Sequence, residues 1–293
     1  MPQGDEKHYP ELADVGELVD PVMVLAFQGW NDAGEAATGA LEHLEDLWDA
    51  QELTTIDPDD YYDFQVNRPT VHFDDGGARQ IEWPTTRISL ARPDGGSRDV
   101  ILIRGIEPNM RWRAFCTELL DIAAALNVTE AVSLGALLAD VPHTRPVPVT
   151  VSASDDTVAK SLGVEPSRYE GPVGIVGAFQ HAAVHFGLRA ISIWAAVPHY
   201  VAQSPCPKAT LVLLSKIEDL LNESIPLGDL PDEAQAWQHG VEEMTSEDPE
   251  IADYVARLER ARDTTELPEA SGEHIAKEFE RYLRRRGPGP SSE

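Results

Sequence analysis

The sequence predicts an α/β protein whose mostly parallel sheet is covered by helices on both faces, with an antiparallel hairpin extension and a C-terminal helical appendage. Three observations lead to this class. Short continuous apolar runs, typical of strands buried on both faces, alternate with segments that carry apolar residues at helical spacing. Between residues 50 and 105, shorter segments are separated by Asp-Gly-Gly sequences. Beyond Pro226 only helical patterns remain.

The first predicted strand leads through a glycine turn into a helix. Residues 22–27 are uniformly apolar, and QGWNDAG follows at 28–34. Asn31 or Asp32 would cap the helix, because short polar side chains accept hydrogen bonds from its first free amides. The apolar face of this helix consists of Ala33, Ala36, Ala37, Ala40, Leu41, Leu44 and Trp48.

The middle of the chain predicts hairpins. Asp-Gly-Gly sequences at 75–77 and 94–96 are typical hairpin turns. They predict strands near 70–74, 79–83, 86–92 and 99–104, the last of which ends at Arg104-Gly105.

Strands and helices alternate again in the second half. Apolar runs predict strands at 131–134, ending at Gly135, at 147–151, at 173–176, ending at Gly177, and at 191–197. We expect the strands that contain Val22, Val100, Ala131 and Ile191 to lie side by side in one direction, since helical crossovers join parallel strands. The turns that follow them would then share one edge of the sheet.

Four regions follow from these patterns. They are an N-terminal arm (1–20), an α/β domain (21–226), an acidic helical region (227–286) and a disordered tail (287–293). In the helical region, apolar residues at helical spacing near 251–258 and 275–283 predict amphipathic helices, with loops at about 246–249 and 263–272.

The chain is strongly acidic. It has 51 Asp and Glu residues against 23 Lys and Arg, a formal charge of −28. Residues 1–64 contain 17 of the acids and a single one of these bases, Lys7. Such a surface repels nucleic-acid phosphates and anionic membranes, so we expect neither as a partner. Solubility and docking to a basic partner are the two interpretations of the charge.

The sequence favours a cytoplasmic location. It has no apolar run of 18 residues, and its start carries acids without the apolar core of a secretory signal. Two cysteines, Cys116 and Cys206, are too few for a disulfide framework, and we interpret both as free thiols.

No complete catalytic motif is present. The glycines at 29 and 34 have phosphate-loop spacing, but Glu35 and Ala36 replace the required Lys and Ser or Thr. Ser133 resembles a hydrolase nucleophile, yet the apolar run places it inside a strand. His181 and His185 have the spacing of zinc ligands without a third ligand. We therefore predict no catalytic residue, metal or cofactor, and favour a protein that is not an enzyme.

The loops after the parallel strands are the candidate site, because α/β sheets bind ligands there. This set is a candidate pocket or partner-binding surface; in an enzyme, Glu107 or Asp32 would be the acid or base and His143 or His199 the proton carrier. Its members are Gln28, Gly29, Trp30, Asn31, Asp32, Gly105, Glu107, Asn109, Gly135, Asp140, His143, His199 and Tyr200.

Three blocks carry a family resemblance. They are GWNDAG (29–34), LADVPHTRPVPVT (138–150) and AAVPHYVAQSPCPKAT (195–210). Together they resemble the proteasome assembly chaperone 2 family, in its bacterial, actinobacterial-type branch, over residues 20–225. The resemblance implies a phosphorylase/hydrolase-like three-layer fold. It also implies a homo-oligomer, with a trimer or a multiple of it favoured, and a role in protein assembly.

The resemblance suggests proteasome subunits as a protein partner. Relatives that grip a proteasome ring do so with a C-terminal hydrophobic residue, Tyr and any residue, whereas this sequence closes on Ser291, Ser292 and Glu293. We therefore expect that docking tail to be absent. Our hypothesis is a non-catalytic oligomeric assembly chaperone or scaffold; the alternative is a small-ligand-binding enzyme of phosphorylase/hydrolase type that uses the strand-end loops.

Overall fold

A seven-stranded sheet forms the centre of the computed structural model, which describes residues 9–74, 76–93, 95–153, 156–164, 169–201 and 204–266. The strands run in the order β2-β5-β6-β1-β7-β9-β8, and β3 and β4 form a separate pair. The strands are β1 Val22–Gln28, β2 Gln51–Ile56, β3 Thr70–Phe73, β4 Arg79–Glu82, β5 Thr86–Ala91, β6 Val100–Ile106, β7 Glu130–Ala139, β8 Val149–Ala153 and β9 Arg189–Pro198. The α-helices are α1 Ala36–Leu47, α2 Trp112–Ala125, α3 Asp156–Leu162, α4 Ile175–Phe186, α5 Pro207–Leu221, α6 Leu230–Ser246 and α7 Pro249–Glu266.

The four strands predicted to run in parallel do so. Val22 of β1 pairs with Val100 of β6 on one side and with Glu130 of β7 on the other. β9 continues the parallel set beside β7, where Ile191 pairs with Val132. β5 joins β6 antiparallel and β8 joins β9 antiparallel, so the sheet is mostly parallel with antiparallel edges. The fold class is confirmed.

The alternation of side chains along β1 explains the two helical layers. Val22, Val24 and Ala26 face one core together with α1 and α5. Met23 and Phe27, on the opposite face, pack with α2 and α4. Both faces of a strand are buried only when helices cover the sheet on both sides, which is why the sequence of β1 is apolar throughout.

Two predicted strand positions were wrong. The apolar run at 173–176 contains the beginning of α4, with Gly174 as its N-cap residue, and is not a strand. A short apolar run does not distinguish a buried strand from the first turn of a buried helix. β7 continues through Gly135 to Ala139, so Gly135 lies inside the strand rather than at its end.

Other strands begin or end about two residues from their predicted positions. β6 extends to Ile106, two residues past the predicted end at Arg104, and Gly105 pairs there with Thr86. β8 lies at 149–153, against a predicted 147–151. The edge strand β2 was missed, because its sequence QELTTI is polar and largely exposed.

The hairpin of β3 and β4 has an exposed apolar face. Val71 pairs with Ile81, and Phe73 lies two residues further along the same face. Phe73 is 70% exposed and Ile81 is 53% exposed. The opposite face carries the polar residues Thr70, His72, Gln80 and Glu82. The predicted turn residues Asp75 and Asp94 lie outside the described residues.

Two further helices follow the α/β part. α6 packs against α5, and Leu230 and Trp237 of α6 contact the core that α1 and α5 share. The break between α6 and α7 falls within the loop predicted at 246–249, and α7 confirms the helix predicted near 251–258. The helix predicted near 275–283 and the tail at 287–293 lie outside the described residues.

The described part of the arm packs against the domain. Leu12 is buried in a short 3-10 helix, Pro10–Asp14. The hydroxyls of Tyr9 and Tyr61 both donate hydrogen bonds to the buried carboxylate of Glu118 on α2. Burial, followed by the hydrogen bond to Glu118, raises the pKa of both tyrosines.

Cys116 and Cys206 are buried free thiols, as predicted. Burial raises the pKa of Cys206 to about 11, which keeps this thiol protonated at neutral pH. In the described part of the chain, no helix is long and apolar enough to cross a membrane.

Candidate functional site

The carboxyl ends of β6, β1, β7 and β9 lie next to each other along one edge of the sheet. We call this edge the rim; it comprises residues 28–32, 105–109, 139–145 and 198–200. Most of the predicted site residues lie on it. They form two separate groups rather than one cluster.

The first group joins the loops after β1 and β6. Glu107 Oε1 accepts hydrogen bonds from Asn31 Nδ2 at 2.7 Å and from the backbone amide of Ile175 at 2.8 Å. The Ile175 amide is one of the free donors in the first turn of α4, so Glu107 completes that helix from a distant loop. Asn31 is 1% exposed, and its Oδ1 has no hydrogen-bond partner within the part of the chain that the structure describes.

Two glycines make this contact possible. Gly29 has φ = 120°, a backbone conformation that other residues rarely adopt, and it lies against Glu107. A Cβ added to Gly174 would lie 2.1 Å from Asn31 Oδ1. Gly174 therefore allows the N-terminus of α4 to approach Asn31 and Glu107.

Asp32 caps α1. Its Oδ1 accepts a hydrogen bond from the Ala37 amide at 2.6 Å, while Oδ2 accepts from the amide and the hydroxyl of Thr38. Burial raises the pKa of Asp32, whereas these hydrogen bonds act in the opposite direction. Both carboxylate oxygens are thus occupied by the cap.

The second group joins the loops after β7 and β9. The Tyr200 hydroxyl lies 2.8 Å from both the backbone nitrogen and Nδ1 of His143. His199 Nδ1 lies 3.2 Å from Asp140 Oδ1, which also accepts a hydrogen bond from the Tyr254 hydroxyl at 3.0 Å. The rings of His199, Tyr200 and Tyr254 meet edge to face.

The His143 amide donates to the Tyr200 oxygen, and Nδ1 shares a second hydrogen bond with the same hydroxyl. His143 is 3% exposed, and its Nε2 has no hydrogen-bond partner among the described residues. Burial lowers the pKa of His143 and raises that of Tyr200 to about 12.

The C-terminal helices cover this second group. Arg145 pairs with Asp263 through two hydrogen bonds, at 2.7 and 2.9 Å, and with Glu259 at 3.3 Å. Thr144 also donates a hydrogen bond to Glu259. From α5, Lys208 donates hydrogen bonds to the His143 carbonyl and to Gln238 of α6, the latter at 2.7 Å. The chain's own helices therefore close the rim over His143.

The remaining predicted residues have different surroundings. Trp30 is 67% exposed at the tip of the loop after β1. Asn109 holds the segment at 61–67, because its Oδ1 accepts hydrogen bonds from the Asp63 amide and Asn67 Nδ2. A Cβ on Gly135 would lie 2.6 Å from the Trp194 ring. The hydrogen bonds of Asn109 and the close approach of Trp194 to Gly135 are therefore structural contacts.

A groove of about 240 Å³ opens beside the first group. Gln28 and Gly105, both predicted site residues, line it together with residues from β4 and β5. Its lining consists of Gln28, Thr38, Arg68, Thr70, Glu82, Trp83, Pro84, Thr85, Arg87, Arg104, Gly105 and Ile106.

The patterns interpreted as structural keep that interpretation. Ser133 lies in β7, where it pairs with Ser192 and Leu25, and it is buried. His185 Nδ1 lies 2.8 Å from the His181 carbonyl. Among the described residues, no group of three or more His, Cys, Asp or Glu side chains could hold a metal ion.

Several contributors were missed by sequence reasoning. Lys208 lies within the block at 195–210 without a motif of its own, and Tyr254, Glu259 and Asp263 lie on a helix that was interpreted only as amphipathic. The signal available for Lys208 was its position in that block. Gly174 was predicted to lie inside a strand, so its contact with Asn31 was missed.

Comparison with known proteins agrees with the fold described above. The model of the PAC2 family matches residues 26–245. A PAC2 family protein from Streptomyces avermitilis is 56% identical, with a TM-score of 0.76, and the match covers 80% of this chain and 100% of that one. A proteasome-assembly chaperone homologue from Mycobacterium tuberculosis is 53% identical, with a TM-score of 0.73 and coverage of 80% and 99%.

A more distant structure shares the fold alone. The Pyrococcus furiosus protein PbaB, described as an archaeal proteasome activator, is 17% identical, with a TM-score of 0.61 and coverage of 78% of this chain and 94% of that one. No curated protein matches the chain.

Proposed function

The chain belongs to the PAC2 family, and from this premise we propose that it is a non-catalytic assembly chaperone or scaffold that binds a protein partner. The partner is a set of proteasome subunits, and the protein acts in the cytoplasm as a homo-oligomer. The class of partner rests on the Mycobacterium tuberculosis relative, which is a proteasome-assembly chaperone homologue and 53% identical.

The observation that carries the non-catalytic assignment is the burial of His143 on the rim after β7. A catalytic histidine must reach its substrate within hydrogen-bond distance. His143 is instead 3% exposed and bound to Tyr200 at 2.8 Å, and the next residue, Thr144, donates a hydrogen bond to Glu259 of α7. Asp32, the candidate acid or base, caps α1 with both oxygens. Glu107 completes the first turn of α4. His143, Asp32 and Glu107, three of the four residues named for the enzyme alternative, therefore already have structural contacts.

The β3 and β4 hairpin supports protein binding. Phe73, Ile81 and Val71 expose a contiguous apolar face, and Arg79 lies opposite Phe73 on that face. Exposed apolar patches of this kind mark contact surfaces, because burying them against a partner releases water. We place the contact with the partner protein on this face.

The test is affinity recovery from an extract that contains proteasomes. The tagged chain should recover proteasome subunits, and the variant Phe73→Ser/Ile81→Ser should recover at least about tenfold less, since large apolar contacts dominate interfaces. The matched control is His72→Ser/Gln80→Ser, which changes the polar face of the same hairpin and should recover as much as the unchanged chain.

Two outcomes contradict the proposal. If the unchanged chain recovers no proteasome subunit, the assembly role fails. If light scattering shows that Phe73→Ser/Ile81→Ser lowers the number of associated copies while recovery stays full, the hairpin joins copies of the chain and the partner binds elsewhere. His199→Ala should leave recovery unchanged, because the proposed role needs no proton carrier at that position.

A further inference from the structure

The groove beside β1 and β6 lies where the topology of the sheet predicts a ligand crevice. β1 and β6 are parallel neighbours, yet α1, which follows β1, packs on one face and α2, which follows β6, packs on the other. Open α/β sheets bind ligands beside adjacent strands whose following helices lie on opposite faces of the sheet. Gln28 and Ile106, the last residues of the two strands, both line the groove.

The charges in the groove do not cancel. Arg104 pairs with Glu45 at 2.7 Å, and Arg87 pairs with Glu82 at 3.3 Å. Arg68 has neither an ion pair nor a hydrogen bond within the ranges that the structure covers. The Arg68 side chain is exposed, so its guanidinium is accessible to an external anion.

Three other polar side chains that line the groove can donate hydrogen bonds. The side-chain amide of Gln28, the Thr70 hydroxyl and the Trp83 indole N–H are exposed and make no hydrogen bond in the described part of the chain. The Trp83 ring is held edge to face against Phe64, with ring centroids 4.8 Å apart. A fixed indole beside a guanidinium and an amide offers several donors to a ligand that is rich in acceptors.

We propose that this groove binds a carboxylate, carried either by a small organic acid or by the C-terminal residue of a peptide. Arg68 holds the carboxylate oxygens through its forked N–H groups, and the Gln28 amide and Trp83 N–H complete their hydrogen bonds. The volume of about 240 Å³ is below the ~300 to 1,000 Å³ typical of pockets for larger ligands, which limits the occupant to one small acid or one terminal residue.

The negative charge of the whole chain disfavours non-specific binding of anions. A chain with a formal charge of −28 repels anions from most of its surface. Binding of a carboxylate therefore requires local donors, and general electrostatic attraction cannot imitate it. The proposal does not depend on the proteasome role, and its failure would leave partner recovery unaffected.

The test uses the full chain labelled with 5-fluorotryptophan. Its six tryptophans give separate fluorine signals, and Trp83→Phe identifies the one from the groove. The probes are citrate, the tripeptide acetyl-Ala-Ala-Ala with a free carboxyl terminus, and the same tripeptide as its terminal amide, all at constant ionic strength. A saturable shift of the Trp83 signal with citrate or with the free-acid tripeptide is expected.

Variants separate the site from general charge. Arg68→Gln should weaken binding at least about tenfold, while Arg68→Lys, which keeps the charge without the forked geometry, should weaken it less. The control Arg113→Gln, which removes an exposed arginine from α2, should change nothing. Binding of citrate alone identifies a free acid as the ligand, and binding of the tripeptide acid alone identifies a chain terminus.

Three results overturn the proposal. They are the absence of saturable binding by any probe, equal binding by the unchanged chain and Arg68→Gln, and equal binding of the tripeptide acid and its amide.

Discussion

The two halves of the rim use the same strand edge in opposite ways. After β7, Thr144 and Arg145 bond to α7 and His143 is buried against Tyr200, although His199 and Asp140 nearby stay exposed. At β1 and β6 the edge stays open as a groove that ends beside an unpaired arginine, Arg68, within the described residues. The parallel sheet creates the edge in both places. What differs is whether a later part of the chain fills it.

Comparing the two halves distinguishes residues that resemble catalytic groups but have structural contacts, such as His143, from the exposed surface of the groove. Conspicuous side chains lie at the β7 and β9 half, where His143 is bonded to Tyr200, and Asp140 accepts a hydrogen bond from Tyr254 of α7. Less conspicuous residues, Arg68 and Gln28, lie in the open half. A strand-end position therefore indicates a site only when nothing in the same chain covers it.

The largest effect is expected in the β1 and β6 half, where the N-terminus of α4 approaches Asn31. Gly174→Ala should lower the free energy of unfolding by about 3 kcal/mol, because the added methyl group would lie 2.1 Å from Asn31 Oδ1 and would displace the hydrogen bond from Asn31 to Glu107. Denaturant unfolding followed by circular dichroism measures this change.

Gly240→Ala is the matched control. Gly240 lies inside α6 and no atom lies within 4 Å of its would-be Cβ, so alanine should stabilise the chain by about 0.5 to 1 kcal/mol. In the double variant Asn31→Ala/Gly174→Ala, the steric part of the loss should be recovered. If Gly174→Ala is as stable as the unchanged chain, α4 does not approach Asn31 as described.

The β7 and β9 half predicts a smaller effect that depends on pH. Burial lowers the pKa of His143 in the folded state, so below the ordinary histidine pKa of about 6.5 the unfolded chain binds more protons. Stability contributed by neutral His143 is therefore complete above that pH and is lost as the pH falls toward the folded pKa. The loss approaches at most about 1.4 kcal/mol per pH unit.

The measurement compares variants rather than one profile, because many carboxylates also titrate in this chain. The difference in unfolding free energy between the unchanged chain and His143→Phe should shrink as the pH falls from 7.5 to 5.5. Parallel pH profiles for the unchanged chain and His143→Phe would contradict the burial of that imidazole.

Much of the fold could be predicted because buried strands have a recognisable apolar pattern in the sequence. β1 is apolar on both faces since helices cover both, and that pattern predicted its place in a parallel set. β2 has no such apolar pattern, because it is largely exposed. The run at 173–176 was misinterpreted since the first turn of α4 is buried and as apolar as a strand.

The site was only partly predictable. The rim residues followed from strand ends, and the contact of Asn31 with Glu107 joins two loops that the sequence already placed together. Coverage of His143 depends on Glu259 and Asp263, more than 100 residues later, whose positions no local pattern encodes. Arg68 of the proposed carboxylate groove was missed because it lies in a loop without a motif.

Solvent access to the His143 ring tests the contrast between the two halves most directly. Hydrogen exchange at the imidazole C2 position, followed by mass spectrometry, reports it without a substitution, and His72 on the hairpin beside the groove provides the exposed reference. We expect His143 to exchange at least about tenfold more slowly than His72, because α7 and Tyr200 enclose it. Equal exchange rates for the two rings would show that the β7 and β9 half of the rim is open, and the assignment of His143 to a structural role would fail.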